Sequence, residues 1–258
     1  MKKSLIDLIK VVPPERPSYD RTKWRFWPSE ASCIVNSSPI GKCLRCLYYQ
    51  WNPIPESNPV PERVKLLGKI GHFVEYETRK DLVAKKLYSL EANKKKTRKF
   101  KVNLIDDIIL SGEIDIRAGT DADYCGIEVK NYSNSTYQLR PKPKDPHLLQ
   151  TFLYIVYYKP QQPYFLIKYM PSMISKYATE TVYHRIDWIE IDKEIYPVIN
   201  GGINKDIKLS SIIRRYKEAK YYIKNNILPM KEFPRSSSAC KYCSYRDYCK
   251  KDKEGSKI

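Results

Sequence analysis

Asp115, Glu128 and Lys130 are the residues whose types and spacing suit chemistry, and that chemistry is metal-assisted attack of water on a phosphodiester. Hydrolysing such a bond calls for a cation that polarises the phosphate and generates hydroxide from water. Two carboxylates on one strand face supply the hard oxygen ligands that Mg²⁺ or Mn²⁺ prefers. A lysine two positions after the second carboxylate projects from the same face. There it can orient the water or stabilise negative charge in the transition state. Taken alone, D…E-x-K also describes an ordinary solvated strand face, so the pattern matters only if the chain brings its carboxylates together.

The flanking residues are patterned to do so. Between residues 108 and 117, Leu110, Gly112, Ile114 and Ile116 face one side while Ser111, Glu113, Asp115 and Arg117 face the other. A turn signal follows at Gly119-Thr120-Asp121-Ala122-Asp123. Beyond it Cys125, Ile127 and Val129 point one way, and Gly126, Glu128 and Lys130 the other. An antiparallel hairpin turning near Asp121 sets Asp115 opposite, or nearly opposite, Glu128, about 5 Å apart at Cβ.

Helices are expected to bring in further groups. Val64, Leu67, Gly71 and Val74 recur at helical spacing, so residues 62 to about 87 form a long helix, with His72 off its apolar stripe toward Glu75. As a neutral imidazole His72 could complete the coordination of a borderline metal, or be a surface residue. A second helix starts after Asp145 with Pro146 at its first position, and Gln150 and Tyr154 share one face of it. That pair could contact phosphate or a stacked base, or be plain helix surface. His147, one turn before Gln150, has the same open choice, with capping a further role for it. Residues 164–169 and 182–191 read as strands and 210–227 as a helix. Ser29 could cap a short helix toward the first cysteines. Residues 1–27 are basic and Pro-punctuated and wrap the surface; Pro-rich 53–61 and Lys-rich 92–99 break the chain.

A net charge of +18 over 258 residues favours a polyanionic partner, and 22 Tyr offer stacking surfaces of the kind single strands use. Codon bias toward Lys, Ile, Tyr and Asn would give the same composition. With nine Gly and no Walker or G-x-G-x-x-G run, a glycine-cradled phosphate site is not expected. No apolar run approaches about 18 residues, so an intracellular protein without membrane partners is expected. Cys240, Cys243 and Cys249 form C-x2-C-x5-C, too tight for unrelated core thiols. Three thiolates want a fourth, and Cys43, Cys46 or Cys33 could supply it by clamping the two ends of the chain.

In order, Gly68 to His72 (G-x-x-x-H), Gly112 to Asp115 (G-x-x-D), Glu128 to Lys130 (E-x-K) and Gln150 to Tyr154 (Q-x-x-x-Y) resemble the RecB-like branch of the PD-(D/E)xK nucleases. The cysteines are similar to those of its iron–sulfur members, the AddB type and the CRISPR-associated exonucleases. The resemblance implies a restriction-endonuclease-like α/β core: a mixed sheet flanked by helices, with a helical cap stapled by a cluster. It implies one domain over 1–258, with a nuclease core at 62–200 and cluster-binding segments at 29–60 and 228–250. His72, Asp115, Glu128 and the Val129 carbonyl would bind Mg²⁺ or Mn²⁺, Lys130 would act on the water, and Gln150 and Tyr154 would guide substrate. Cys43, Cys240, Cys243 and Cys249 would bind a 4Fe–4S cluster. The family motif Cys-Pro-Arg reads Cys43-Leu44-Arg45 here, and this departure keeps Cys46 and Cys33 open. Zn²⁺ would accept the same thiolates, and disulfides are a further alternative. The implied activity is single-stranded DNA exonuclease, with some endonuclease action, in CRISPR spacer acquisition alongside other adaptation proteins. Replication or recombination of a viral or mobile-element genome would use the same chemistry with recombination proteins as partners. A silent DNA-binding subunit with a structural cluster is the alternative outside enzymes.

Overall fold

The computed structural model describes residues 24–52, 54–58, 62–91, 93–94, 98–119, 123–132, 141–158, 164–171 and 180–252. The expected surface wrap before residue 24, the turn centre at Asp121 and part of each of the Pro-rich and Lys-rich stretches lie outside these residues.

Alternation of apolar residues builds a mixed α/β architecture with separate sheets. A small sheet has the order β1-β5-β4, from Trp24–Phe26, Ile108–Glu113 and Lys99–Ile105. The larger one runs β11-β10-β9-β8-β7-β6, from Gly202–Ile203, Glu194–Ile199, Val182–Ile191, Phe165–Pro171, Tyr124–Tyr132 and Ile116–Gly119. A hairpin, β2 (Ser32–Val35) and β3 (Ser38–Gly41), stands apart. The expected helix near Ser29 is therefore a single 3-10 turn, Pro28–Glu30, and Cys33 lies on a strand. The turn Asn36-Ser37, with both residues at positive φ, closes this hairpin tightly.

Strand β7 is central and buried on both sides. One face carries Cys125, Ile127 and Val129, which pack with Ile116 and with Val74 of helix α2 (Glu62–Ala84). The other faces helix α3 (Asp145–Tyr158), whose Leu149, Phe152 and Leu153 are fully buried. Since β7 and β8 are parallel, their connection must cross over, and α3 is that crossover. The topology thus lays the Gln150/Tyr154 helix over the Glu128/Lys130 strand.

The expected single strand from 108 to 117 is broken at Ile114-Asp115, so β5 and β6 belong to different sheets. Arg98 is the physical reason. Its guanidinium donates to the carbonyls of Ile114 (2.9 Å) and Asp115 (3.0 Å), and its own carbonyl accepts from the Ile114 N–H. Carbonyls that a continuous ladder would use are satisfied there by the Arg98 guanidinium, joined at Asp115 by that of Arg79.

Helix α1 (Leu44–Trp51) packs on α4 (Leu209–Lys224) and meets the C-terminal helices α5 (Ser238–Lys241) and α6 (Arg246–Lys251). Among the described residues, no helix is long and apolar enough to cross a membrane.

Candidate active site

The β6–β7 register pairs Ile116 with Ile127 and Arg117 with Gly126, and its extension by one residue sets Asp115 opposite Glu128. Asp115 Oδ2 accepts the Val129 N–H at 2.8 Å, so the backbone of β7 fixes this carboxylate. Glu128, 2% exposed, accepts from Lys130 Nζ and, at 2.9 Å, from Gln150 Nε2 on the same oxygen. Lys130 also reaches Gln150 Oε1 at 3.3 Å. Gln150 Nε2 then donates to Tyr154 Oη (3.0 Å), which donates to the Glu113 carbonyl (3.1 Å). Gly112 makes this last bond possible: a Cβ there would stand 2.5 Å from the Phe100 ring and 3.0 Å from that of Tyr154.

One oxygen is left over. Glu128 Oε2 is buried and has no hydrogen-bond partner among the described residues. Burial first, then the charge of Asp115, push the Glu128 carboxyl up to about 8 against the pull of Lys130 and Gln150. Burial also raises Asp115, opposed by Lys130, the Val129 N–H, Arg79 and Arg98. Desolvation works against the Lys130 ammonium, but Glu128 and Asp115 together hold its pKa above the usual value. Two carboxyls and one ammonium, closely packed and short of one partner, form a site that a divalent cation would satisfy.

His72 is on the predicted helix, but its side chain is 86% exposed and its Nδ1 faces Glu75 Oε2 at 3.7 Å. It joins the pair only through a relay, since Glu75 binds Arg79, and Arg79 donates to the Asp115 carbonyl at 3.2 Å. His147 Nδ1 lies 2.8 Å from Tyr169 Oη, and burial, Lys130 and Lys144 push its pKa down to about 3. Among the described residues no three His, Cys, Asp or Glu side chains gather tightly enough to hold one ion. Arg79 and Arg98 were not anticipated. Glu75 and Arg79 stand at the i,i+4 spacing of a helical ion pair, a signal present in the sequence; Arg98 lies in a segment that reads only as a Lys-rich turn.

The cysteines make a second centre. Cys43, Cys46, Cys240, Cys243 and Cys249 line one cavity of about 340 Å³, together with Arg45, Lys231, Arg235, Arg246 and Lys250. Cys33 belongs elsewhere: it is fully buried in the main core beside Ala31, which removes it as a neighbour of the C-terminal thiols. Burial pushes Cys43 up to about 12, with Glu232 adding to the effect. Hydrogen bonding between the Cys46 and Cys243 thiols lowers one and raises the other. Arg45 fastens this region. Fully buried, it donates to the carbonyls of Pro229 (2.7 Å) and Asp252 (2.9 Å) and stands 3.8 Å from Cys249 Sγ. Tyr48 and Tyr49 add bonds to Asn226 (2.6 Å) and Asp252 (2.7 Å).

The chain matches no family model and no curated protein. The crystal structure of SSO0001 is similar to it, with a TM-score of 0.48 and 13% identity over 88% of this chain and 86% of that one.

Proposed function

We propose that this chain is a divalent-metal-dependent DNA nuclease of the RecB-like PD-(D/E)xK type, acting on single strands, with an iron–sulfur cluster in its cysteine cavity. The observation that carries the reading is the juxtaposition of Asp115 with Glu128, whose Oε2 is a buried acceptor without a donor. Leaving such an oxygen unpaired costs about 1–3 kcal/mol or more for a charged group, and a cation removes that cost. Asp115, Glu128 and the Val129 carbonyl would hold Mg²⁺ or Mn²⁺; two carboxylates and several waters suit either ion. The family pattern adds His72 to the ligand set, whereas here its exposed imidazole reaches the pair only through Glu75 and Arg79, which gives it the role of tuning the site from outside. The bound cation would polarise the scissile phosphate and ease ionisation of its water. Lys130, held between Glu128 and Gln150, orients the attacking water and offsets negative charge on the phosphoryl oxygens. Gln150 keeps the Glu128 carboxylate aligned, and Tyr154 ties that helix to β5.

The cysteine cavity fits the second group. Five thiols spread around about 340 Å³ with a cationic rim suit a multi-atom, thiolate-ligated anion. One zinc would draw four sulfurs to within roughly 4 Å of each other, given Zn–S bonds of about 2.3 Å. Cys43, Cys240, Cys243 and Cys249 are the ligands of the proposal, with Cys46 as the competitor for the N-terminal position. The nuclease is tested with Asp115→Ala and Glu128→Ala on labelled single-stranded DNA in Mn²⁺. Loss of cleavage in both is expected, and wild-type rates in both would overturn the assignment. Anaerobic purification tests the cluster: brown protein with iron is expected, and colourless protein with one zinc would overturn it.

A further inference from the structure

The outer face of the small sheet carries a groove that none of this chemistry uses. Register places Arg25 beside Ile109, Lys101 opposite Ser111 and Lys99 opposite Glu113, so these side chains share one face. With Trp27 they line a cleft of about 350 Å³. Glu113 is neutralised by Arg98 at 2.9 Å, which leaves the groove basic. Arg25, Lys99 and Lys101 form no ion pair among the described residues, and Arg25 Nε is buried with no hydrogen-bond partner there. That is a donor without an acceptor. Trp27 is held at the lip through its backbone, whose N–H donates to Glu30 (2.9 Å) and whose carbonyl accepts from Tyr216 (2.9 Å). The floor strand β5 ends at Glu113, two residues or about 7 Å of extended chain before Asp115.

We infer that this groove binds the single strand next to the scissile phosphate, with Arg25, Lys99 and Lys101 on backbone phosphates and Trp27 stacked on a base. The inference rests on the nuclease reading for its substrate and adds the path by which that strand reaches Asp115. Unpaired cations with one aromatic at the rim are what a single strand requires, since its bases have free faces. A duplex stacks its bases internally and leaves Trp27 nothing to cover.

The test is binding of a fluorescent single-stranded oligonucleotide to the full-length protein in chelator, where no cleavage occurs. Trp27→Ala is expected to weaken binding about tenfold. Arg25→Gln and Lys101→Gln should each lower the slope of log affinity against log salt by about 0.7. Lys101 is exposed, so its variant keeps the test alive if Arg25→Gln does not fold. Lys80→Gln, on exposed α2 surface, controls for general charge. Unchanged affinity and slope in the groove variants, an equal loss in Lys80→Gln, or an equal loss of duplex affinity in Trp27→Ala would each overturn the groove. Failure of the nuclease reading looks different: the groove variants lose affinity while Asp115→Ala and Glu128→Ala leave cleavage untouched.

Discussion

The carboxylate centre and the cysteine cavity are held in different ways. Around Asp115 and Glu128 the positions come from backbone: two paired strands, a crossover helix, and an N–H of Val129 on one carboxylate. Around the cavity they come from side chains. Cys43 precedes the first turn of α1, and Cys240 and Cys249 lie on helices of four and six residues. Arg45, Tyr48, Tyr49 and the bond from the Leu44 N–H to Glu232 (2.8 Å) tie these pieces together. Short helices of this kind are marginal alone. The first centre therefore stands assembled whatever is bound, at the cost of buried charge. The second would draw rigidity from the proposed cluster.

A paired comparison breaks or sharpens that contrast. Glu128→Gln should reduce metal-dependent cleavage by roughly a thousandfold, the scale of several kcal/mol of lost charge stabilisation, without lowering the thermal midpoint. Cys240→Ser should do the reverse, with iron lost and the midpoint down by several degrees, while the protein that remains folded still cleaves. Iron content, calorimetry and a cleavage assay on both variants read this. A Cys240→Ser protein as inert as Glu128→Gln at a temperature where it is folded would show that the two centres are one functional unit.

The same difference explains what could be read from the residues in advance. The Asp115–Glu128 register was legible because alternation on both sides of a turn fixes pairing wherever a face is buried. Strand β9 and helices α2, α3 and α4 were legible from their periodicity. The break at Asp115 was not, because it depends on Arg98 reaching backbone carbonyls sixteen and seventeen positions away. Hairpin β2–β3 was hidden behind a Ser29 that looked like a cap. The cysteines showed in sequence that a C-terminal set existed. Only packing of α1 against the C-terminal helices set Cys33 aside and brought Cys46 level with Cys43.

Buried charge at the carboxylate centre also gives a pH signature. The Glu128 carboxyl rises on folding from 4.5 to about 8. A carboxyl raised in this way contributes stability that is complete below its unfolded value and is lost as pH climbs through the folded one. Metal-free protein should therefore lose stability between about pH 4.5 and 8 relative to Glu128→Gln, which has no proton to give up there. The gap in thermal midpoint is expected to widen by a few degrees between pH 5.5 and 8. Saturating Mg²⁺ should narrow it, because metal binding takes the proton off. A gap independent of pH would mean that Glu128 is already ionised in the metal-free fold.

His72 gives the smallest effect and the finest test of whether the carboxylate centre is complete as it stands. Its imidazole is solvent-exposed and is tied to Asp115 only through Glu75 and Arg79. A residue acting through such a relay tunes the metal site from outside, where substitutions cost about 10–100-fold in metal affinity. His72→Ala should accordingly raise the Mn²⁺ concentration needed for half-maximal cleavage by about tenfold and leave the rate at saturating Mn²⁺ within a few-fold. A Cβ added at Gly68 or Gly71 on this helical turn would meet nothing within 4 Å, while Ile70 and Val74 hold the opposite side of the helix on β7. A His72→Ala protein that stays inactive at any Mn²⁺ concentration would place the imidazole on the metal. In that event α2 must shift toward β7 when the cation binds, and the assembled centre would be only half of the working one.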